Sequence, residues 1–254
     1  MEQLTLAYGA ARALVDATFA VPAGTVAALI GPNGSGKSTL LHALAGLLPA
    51  RSGRLSVLGR DPETVSHRVA YVLQATQVNS RMPITVTEVV SMGRYAERGW
   101  FRRLGRIDKV AVHDAMERLQ VADLAGRQLG DLSGGQRQRV FVAQGLAQQA
   151  DLLLLDEPVS GVDLPSQQAI FEAVTAERAR GSTVIFSTHD LGEARRADQL
   201  VLLAGRVVAA GPSAVVLTSE HLAAAYGDRL VRLADGALLL DDGAHHHDDV
   251  GHHH

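Results

Sequence analysis

Gly31-Pro32-Asn33-Gly34-Ser35-Gly36-Lys37-Ser38-Thr39 is the stretch on which the reading of this chain turns. Before it stands Thr25 to Ile30 (TVAALI), an apolar run of strand length. After it, Lys37 to Leu48 carries apolar residues at helical spacing and meets Pro49. Strand, glycine loop, helix is the context in which this spacing binds phosphate. Glycines let successive N–H groups curl around phosphate oxygens, and the helix N-terminus adds positive potential. In that pattern Lys37 reaches the outer phosphates and the Ser38 hydroxyl is a ligand for Mg²⁺. Without a bound phosphate, the same residues read as no more than a glycine-rich turn.

Working outward, a second apolar run, Val69 to Leu73, leads into a polar stretch through Pro83, and Thr85-Val86-Thr87-Glu88 then has capping-box spacing. From Thr85 to Gln149 the pattern is mostly helical, with a loop near Arg94 to Arg106 and a fresh start at Asp108. Strand-like runs return at Leu152 to Leu155, Thr183 to Ser187 and Gln199 to Leu203, separated by helical stretches such as Ser166 to Arg180. Such alternation builds a parallel sheet. Short β-like pieces follow at Arg206 to Ala210 and Arg229 to Leu233. The expected architecture is an α/β phosphate-loop core with a mostly parallel sheet, an N-terminal antiparallel β portion and an inserted helical subdomain at about 85–149. One domain spans 1–240 and a His/Asp-rich tail spans 241–254. No internal repeat or flexible linker divides the chain.

Composition narrows the classes. With no cysteine among 254 residues, disulfides, thiolate metal sites and cysteine nucleophiles are excluded. The formal charge of −3 gives no global basic field to attract nucleic acid, so no nucleic-acid partner is expected. No run of eighteen apolar residues occurs, which predicts a chain that does not itself enter a bilayer. The 46% hydrophobic content, only 4% aromatic, suits aliphatic packing between sheet and helices.

Leu152-Leu153-Leu154-Leu155-Asp156-Glu157-Pro158 sets two carboxylates directly after a strand, where open α/β sheets position ligands. Beside a phosphate loop, Asp156 reads as a holder of the Mg²⁺ shell and Glu157 as acceptor of a proton from attacking water. Alone, such a pair is more often a cap or a solvated loop. Leu132-Ser133-Gly134-Gly135-Gln136, just upstream, matches the signature motif of ATP-binding-cassette (ABC) proteins, although Ser133 and Gln136 also have capping-box spacing. The chain resembles the ABC ATPases over nearly its whole length to about Leu240.

That resemblance implies further roles. Tyr8 looks like the aromatic that stacks on adenine, Gln74 like the Q-loop glutamine that also serves Mg²⁺, Ser160-Gly161-Val162-Asp163 like the D-loop, and His189 like the switch histidine on the γ-phosphate. Ser133 to Gln136 would contact the γ-phosphate held on the opposite copy, so that two chains enclose two ATP molecules. Implied partners are a second copy, two transmembrane permease subunits and, indirectly, an extracytoplasmic binding protein. The place of work implied is the cytoplasmic face of a membrane. Pro83 to Tyr95, Gly99 to Arg103 and Leu146 to Pro158 resemble the ATPases of manganese, zinc and iron importers more than those of amino-acid or sugar systems. The alternatives are shared scaffold serving another solute, such as a siderophore, a non-transport ABC ATPase, or a regulatory metal-binding ATPase. The repair class would need a long heptad coiled coil between phosphate loop and signature, and the translation class a second cassette. The tail holds six histidines with Asp241, Asp242, Asp248 and Asp249, which reads equally as a metal-ligand cluster or as an incidental tail. Arg98 to Arg103 reads as a solvated loop.

Overall fold

The computed structural model describes residues 1–73, 83–95, 103–227, 230–232 and 238–240, the last two segments as backbone. Two antiparallel strands open the chain, β1 (Glu2–Tyr8) and β2 (Ala11–Ala17), and β4 (Ser52–Arg54) pairs with the other edge of β1. Between them lie β3 (Val26–Ile30) and helix α1 (Lys37–Leu44). Helix α2 (Pro62–Val65) leads to β5 (Val69–Val72). The next described helices are α3 (Val86–Met92), α4 (Arg106–Arg118) and α5 (Gly134–Ala147). The core resumes with β6 (Leu152–Leu155), α6 (Leu164–Ala179), β7 (Thr183–Thr188), α7 (Leu191–Ala194), β8 (Gln199–Leu203) and β9 (Val207–Gly211). Helices α8 (Ser213–Val216) and α9 (Ser219–Tyr226) and the hairpin β10 (Leu230–Arg232)–β11 (Leu238–Leu240) follow.

The central sheet has the order β5-β6-β7-β3-β8-β9, parallel except for the final β8–β9 pair. Its strands alternate between two cores, as period-2 side chains must. Ala27, Leu29, Leu152, Leu154, Ile185, Val201 and Leu203 face α1 and the antiparallel sheet. Ala28, Ile30, Leu153, Leu155, Val184, Phe186, Leu200 and Leu202 face the helical layer of α3 to α6. The phosphate-loop helix and the signature helix therefore pack on opposite faces of one sheet. The order also sets β7 between β3 and β6, although it follows both in sequence.

Several boundaries differ from the sequence reading, each for a local reason. Helix α1 stops at Leu44 because Gly46 adopts φ 74°, a left-handed terminator that ends the helix before the apolar run reaches Leu48. Helix α4 starts at Arg106 and not at Asp108; the Asp108 carboxylate reaches back to accept the Gly105 N–H at 2.9 Å. Helix α6 begins at Leu164 because Asp163 accepts the Ser166 N–H at 2.9 Å and caps the first turn. Helix α3 carries the reciprocal Thr85/Glu88 box that its spacing predicts. Asp108 is fully buried and pairs with the 3% exposed Arg94 at 3.1 Å. Arg94 also donates to the carbonyls of Ala147 (2.9 Å) and Gln148 (3.2 Å) at the end of α5, so one guanidinium ties three helices together.

Candidate nucleotide site

The loop between β3 and α1 is shaped by glycines at positive φ: Gly31 at 149°, Gly34 at 79° and Gly36 at 100°. At Gly36 a Cβ would come within 2.6 Å of the Ala13 carbonyl oxygen, so neither the backbone angle nor the space admits another residue. Lys37 folds back over the loop, its Nζ donating to the carbonyls of Gly31 (2.7 Å) and Pro32 (3.1 Å). Burial lowers its pKa, and the nearby Glu157 and Asp156 charges oppose that shift. Ser35 is 4% exposed and its Oγ has no hydrogen-bond partner among the described residues. A buried hydroxyl left open is unusual unless a ligand completes it. Helix α1 has no side-chain cap and no acidic residue in its first turn, which leaves its amides and their positive potential to an anion.

Asp156 is the meeting point of the site. It is 5% exposed at the end of β6. Its Oδ1 accepts from Ser187 Oγ at 2.6 Å and from Ser38 Oγ at 3.1 Å, while Oδ2 accepts from Tyr71 OH at 3.3 Å. Four elements thus converge on one carboxylate: α1, β5, β6 and β7. Strand β7, lying between β3 and β6, also places Ser187 Oγ to accept the Glu157 N–H at 2.9 Å. Glu157 is half-buried and sits at φ 47°, a left-handed angle that costs a non-glycine residue energy and recurs at functional sites. His189 is half-buried between the end of β7 and α7. Beside it, the carboxyl of Glu193 is pushed up by burial; Thr188 Oγ1 donates to it at 2.5 Å, which opposes the shift.

An oxygen-only set of one hydroxyl and one carboxylate, Ser38 with Asp156, suits Mg²⁺, which keeps few protein ligands and completes its shell with phosphate and water oxygens. Among the described residues no group of three or more His, Cys, Asp or Glu forms a cage of its own.

The signature residues lie elsewhere. Ser133 caps α5 with the reciprocal Gln136 box, the Ser133 N–H donating to Gln136 Oε1 at 3.0 Å and the Gln136 N–H to Ser133 Oγ at 3.2 Å. Ser133 and Gly134 are exposed. A Cβ on the buried Gly135 would come within 2.7 Å of Ser166 Oγ, which ties this turn to the Asp163 end of α6. The Asp163 carboxylate is held below the ordinary range by the Ser166 N–H. The structure thus brings together Gly31 to Thr39, Asp156 and Glu157, and separately Ser133 to Gln136 with Asp163.

Tyr8 is 51% exposed at the end of β1, and its hydroxyl shares a 2.5 Å hydrogen bond with His42 Nδ1 on α1. Gln74, the loop at 96–102 and the tail from 241 lie outside the described residues. Sequence reasoning passes over Ser187, Tyr71 and His42. Their signal is faint: a serine closing the apolar run Thr183 to Phe186, and an aromatic with a hydroxyl in β5.

Comparison with known proteins agrees with this geometry. The ABC transporter family profile matches residues 14–160, more than half of the chain. The zinc transport system ATP-binding protein TroB of Treponema pallidum is 43% identical over 231 residues, covering 91% of this chain and 87% of its own. The manganese transport system ATP-binding protein MntB of Bacillus subtilis is 39% identical, covering 94% and 96%. The chelated iron transport system membrane protein YfeB of Yersinia pestis is also 39% identical, covering 94% and 82%. Among solved structures, an inward-facing transporter described as of metal-chelate type superposes with a TM-score of 0.77 at 28% identity, covering 93% of both chains. Phosphate loop, paired carboxylates, signature helix and relatives converge: this chain belongs to the ABC transporter family, as an ATP-binding ATPase whose hydrolysis is coupled to transport.

Proposed function

We propose that this chain powers import of a divalent transition metal, manganese, zinc or iron, with two copies working beneath two permease subunits at the inner face of a membrane. The observation that carries the cargo is that relatives named for zinc, manganese and chelated iron transport each align over nine-tenths or more of the chain. An extracytoplasmic binding protein delivers the metal. The working unit is one nucleotide-binding domain, residues 1–240, with the helices at about 85–149 as the insertion that meets the permease.

In this reading Tyr8 stacks on adenine, while Gly31 to Thr39 and Lys37 hold the phosphates. The open Ser35 hydroxyl and uncapped α1 support that assignment. Ser38 and Asp156, with Gln74, hold Mg²⁺, which neutralises phosphate charge when bound. Glu157 takes the proton of the attacking water, and His189 contacts the γ-phosphate. Ser133, Gly134, Gly135 and Gln136 of the second copy, with Asp163, close the other side. The exposed signature turn, whose helix packs on the other face of the sheet from α1, favours a two-chain site. Catalysis by such parts is positioning and charge stabilisation. Closing of the dimer on ATP and reopening after release of products drive the permease.

The test is uptake of manganese, zinc and iron, offered separately, in cells carrying the chain or Glu157→Gln with its partner subunits. Loss of one metal in the variant supports the reading and names the cargo. Unchanged uptake of all three removes the metal assignment and leaves a transporter ATPase for another solute, such as a chelate.

A further inference from the structure

We infer that Tyr71, braced by His42, is a positioning residue that holds Asp156 in the orientation needed to receive magnesium with the nucleotide. The inference rests on the reading of Asp156 as the carboxylate that serves Mg²⁺. Nothing in the phosphate-loop, carboxylate or signature motifs includes either residue.

The two oxygens of the Asp156 carboxylate are held differently. Oδ1 is occupied by two serine hydroxyls, Ser187 at 2.6 Å and Ser38 at 3.1 Å. Ser38 is the donor that a magnesium ion would draw away, since its hydroxyl is itself a ligand candidate. What then fixes rotation of the carboxylate about its Cβ–Cγ bond is Ser187 on one oxygen and Tyr71 on the other, at 3.3 Å. The Tyr71 hydroxyl can only donate to an ionised carboxylate, so this contact fixes which way Oδ2 is turned. Backbone geometry backs the same link, because the Asp156 N–H donates to the Val72 carbonyl at 3.0 Å and Tyr71 pairs in register with Leu154.

The phenol ring is held in turn. His42 of α1 meets the Tyr71 ring edge-on, with centroids 5.4 Å apart at 88°, and meets Tyr8 at 6.4 Å and 87° while sharing a hydrogen bond with the Tyr8 hydroxyl. Tyr8, His42, Tyr71 and Asp156 form a continuous row through β1, α1, β5 and β6. Its outer member is the aromatic assigned to adenine and its inner member the carboxylate assigned to magnesium. Hydrogen-bonded partners behind a metal-binding carboxylate set its orientation and its affinity.

The test is equilibrium binding of a fluorescent ribose-labelled ATP analogue to the full chain, with and without Mg²⁺, for wild type, Tyr71→Phe, His42→Ala and Asp156→Asn. Tyr71→Phe keeps the ring against His42 and deletes only the hydroxyl. It is expected to cut the gain in affinity that Mg²⁺ confers by about tenfold, leaving metal-free binding unchanged. His42→Ala, which leaves the phenol in place but unbraced, should lower the gain in the same direction by about half as much on a logarithmic scale. Equal weakening with and without Mg²⁺ in Tyr71→Phe would mean a merely structural role and overturn the inference. An unchanged magnesium gain in Tyr71→Phe while Asp156→Asn loses it overturns the inference and leaves the reading of Asp156 intact. An unchanged gain in Asp156→Asn overturns that reading and the inference with it. Should Tyr71→Phe prove unfolded, His42→Ala decides: a gain equal to that of wild type overturns the inference.

Discussion

Two helix starts in this molecule are built in opposite ways. Helix α1 opens without a side-chain cap, on Gly36 at φ 100°, with a buried serine hydroxyl beside it that has no partner among the described residues. Helix α5 opens on a complete capping box in which Ser133 and Gln136 satisfy each other's backbone. The first start leaves its polar groups to a ligand, which is how an anion site is made from backbone alone. The second is satisfied within its own chain and exposed, so it can fold and wait. The sheet between them keeps the two apart, α1 on one face and α5 on the other. In the proposed two-chain site, each copy would offer the loop from one face of its sheet and the signature turn from the other.

Lys37→Ala strikes the open start of α1 most directly. Removing the cation that overlies the open loop should lower ATP hydrolysis by about a hundredfold or more, read as phosphate release. Preserved hydrolysis would show that the loop amides suffice. Next in size is Arg94→Ala, aimed at the helical layer and not at the loop. It removes the guanidinium paired with the buried Asp108 at 3.1 Å, and urea denaturation should show a loss of up to about 3–5 kcal/mol. Nucleotide binding by the folded fraction should stay at the wild-type level, because among the described residues the Arg94 hydrogen bonds run to α4 and the end of α5, across the sheet from α1. A fall in binding would show that the two faces are coupled.

Ser133→Ala sharpens the contrast at the signature end. Loss of the cap should cost about 1 kcal/mol in thermal or urea denaturation. ATP binding to the isolated chain should be unaffected while hydrolysis falls; equal loss of both would place Ser133 in the same half-site as Lys37. The smallest effect concerns Asp163. Its folded pKa is depressed by the Ser166 N–H, so its contribution to stability is present above the ordinary carboxylate value and lost as pH falls through the depressed one. Asp163→Asn should therefore flatten the acid limb of a stability profile taken from about pH 6 down to about pH 3. An acid limb as steep as that of wild type would assign the effect to other carboxylates.

Much of the site is legible in the order of residues alone. Glycine spacing between a strand and a helix is a local property, and so is Asp156-Glu157 at the end of four leucines; both survive because a strand's end and the next helix's start are neighbours in any parallel sheet. Thr85 with Glu88, and Ser133 with Gln136, are readable for the same reason: a cap spans three residues. Boundaries slip where one residue's conformation outweighs periodicity, as at Gly46, or where a carboxylate reaches back, as at Asp108. Ser187 and Tyr71 are not legible in this way. They lie 31 and 85 residues from Asp156, and their nearness follows from strand order, with β7 inserted between β3 and β6 and β5 on the edge.

The family, the glycine-rich loop, the carboxylate pair and the signature motif are all carried by residue types at short fixed spacing, so the order of residues is enough to find them. The convergence of four elements on Asp156, the place of His42 and Tyr71 behind it, and the packing of α1 and the signature helix on opposite faces of the sheet come from the fold. The physical reason is that those contacts are set by which strands neighbour one another and which face each helix covers, and no local run of residues encodes either.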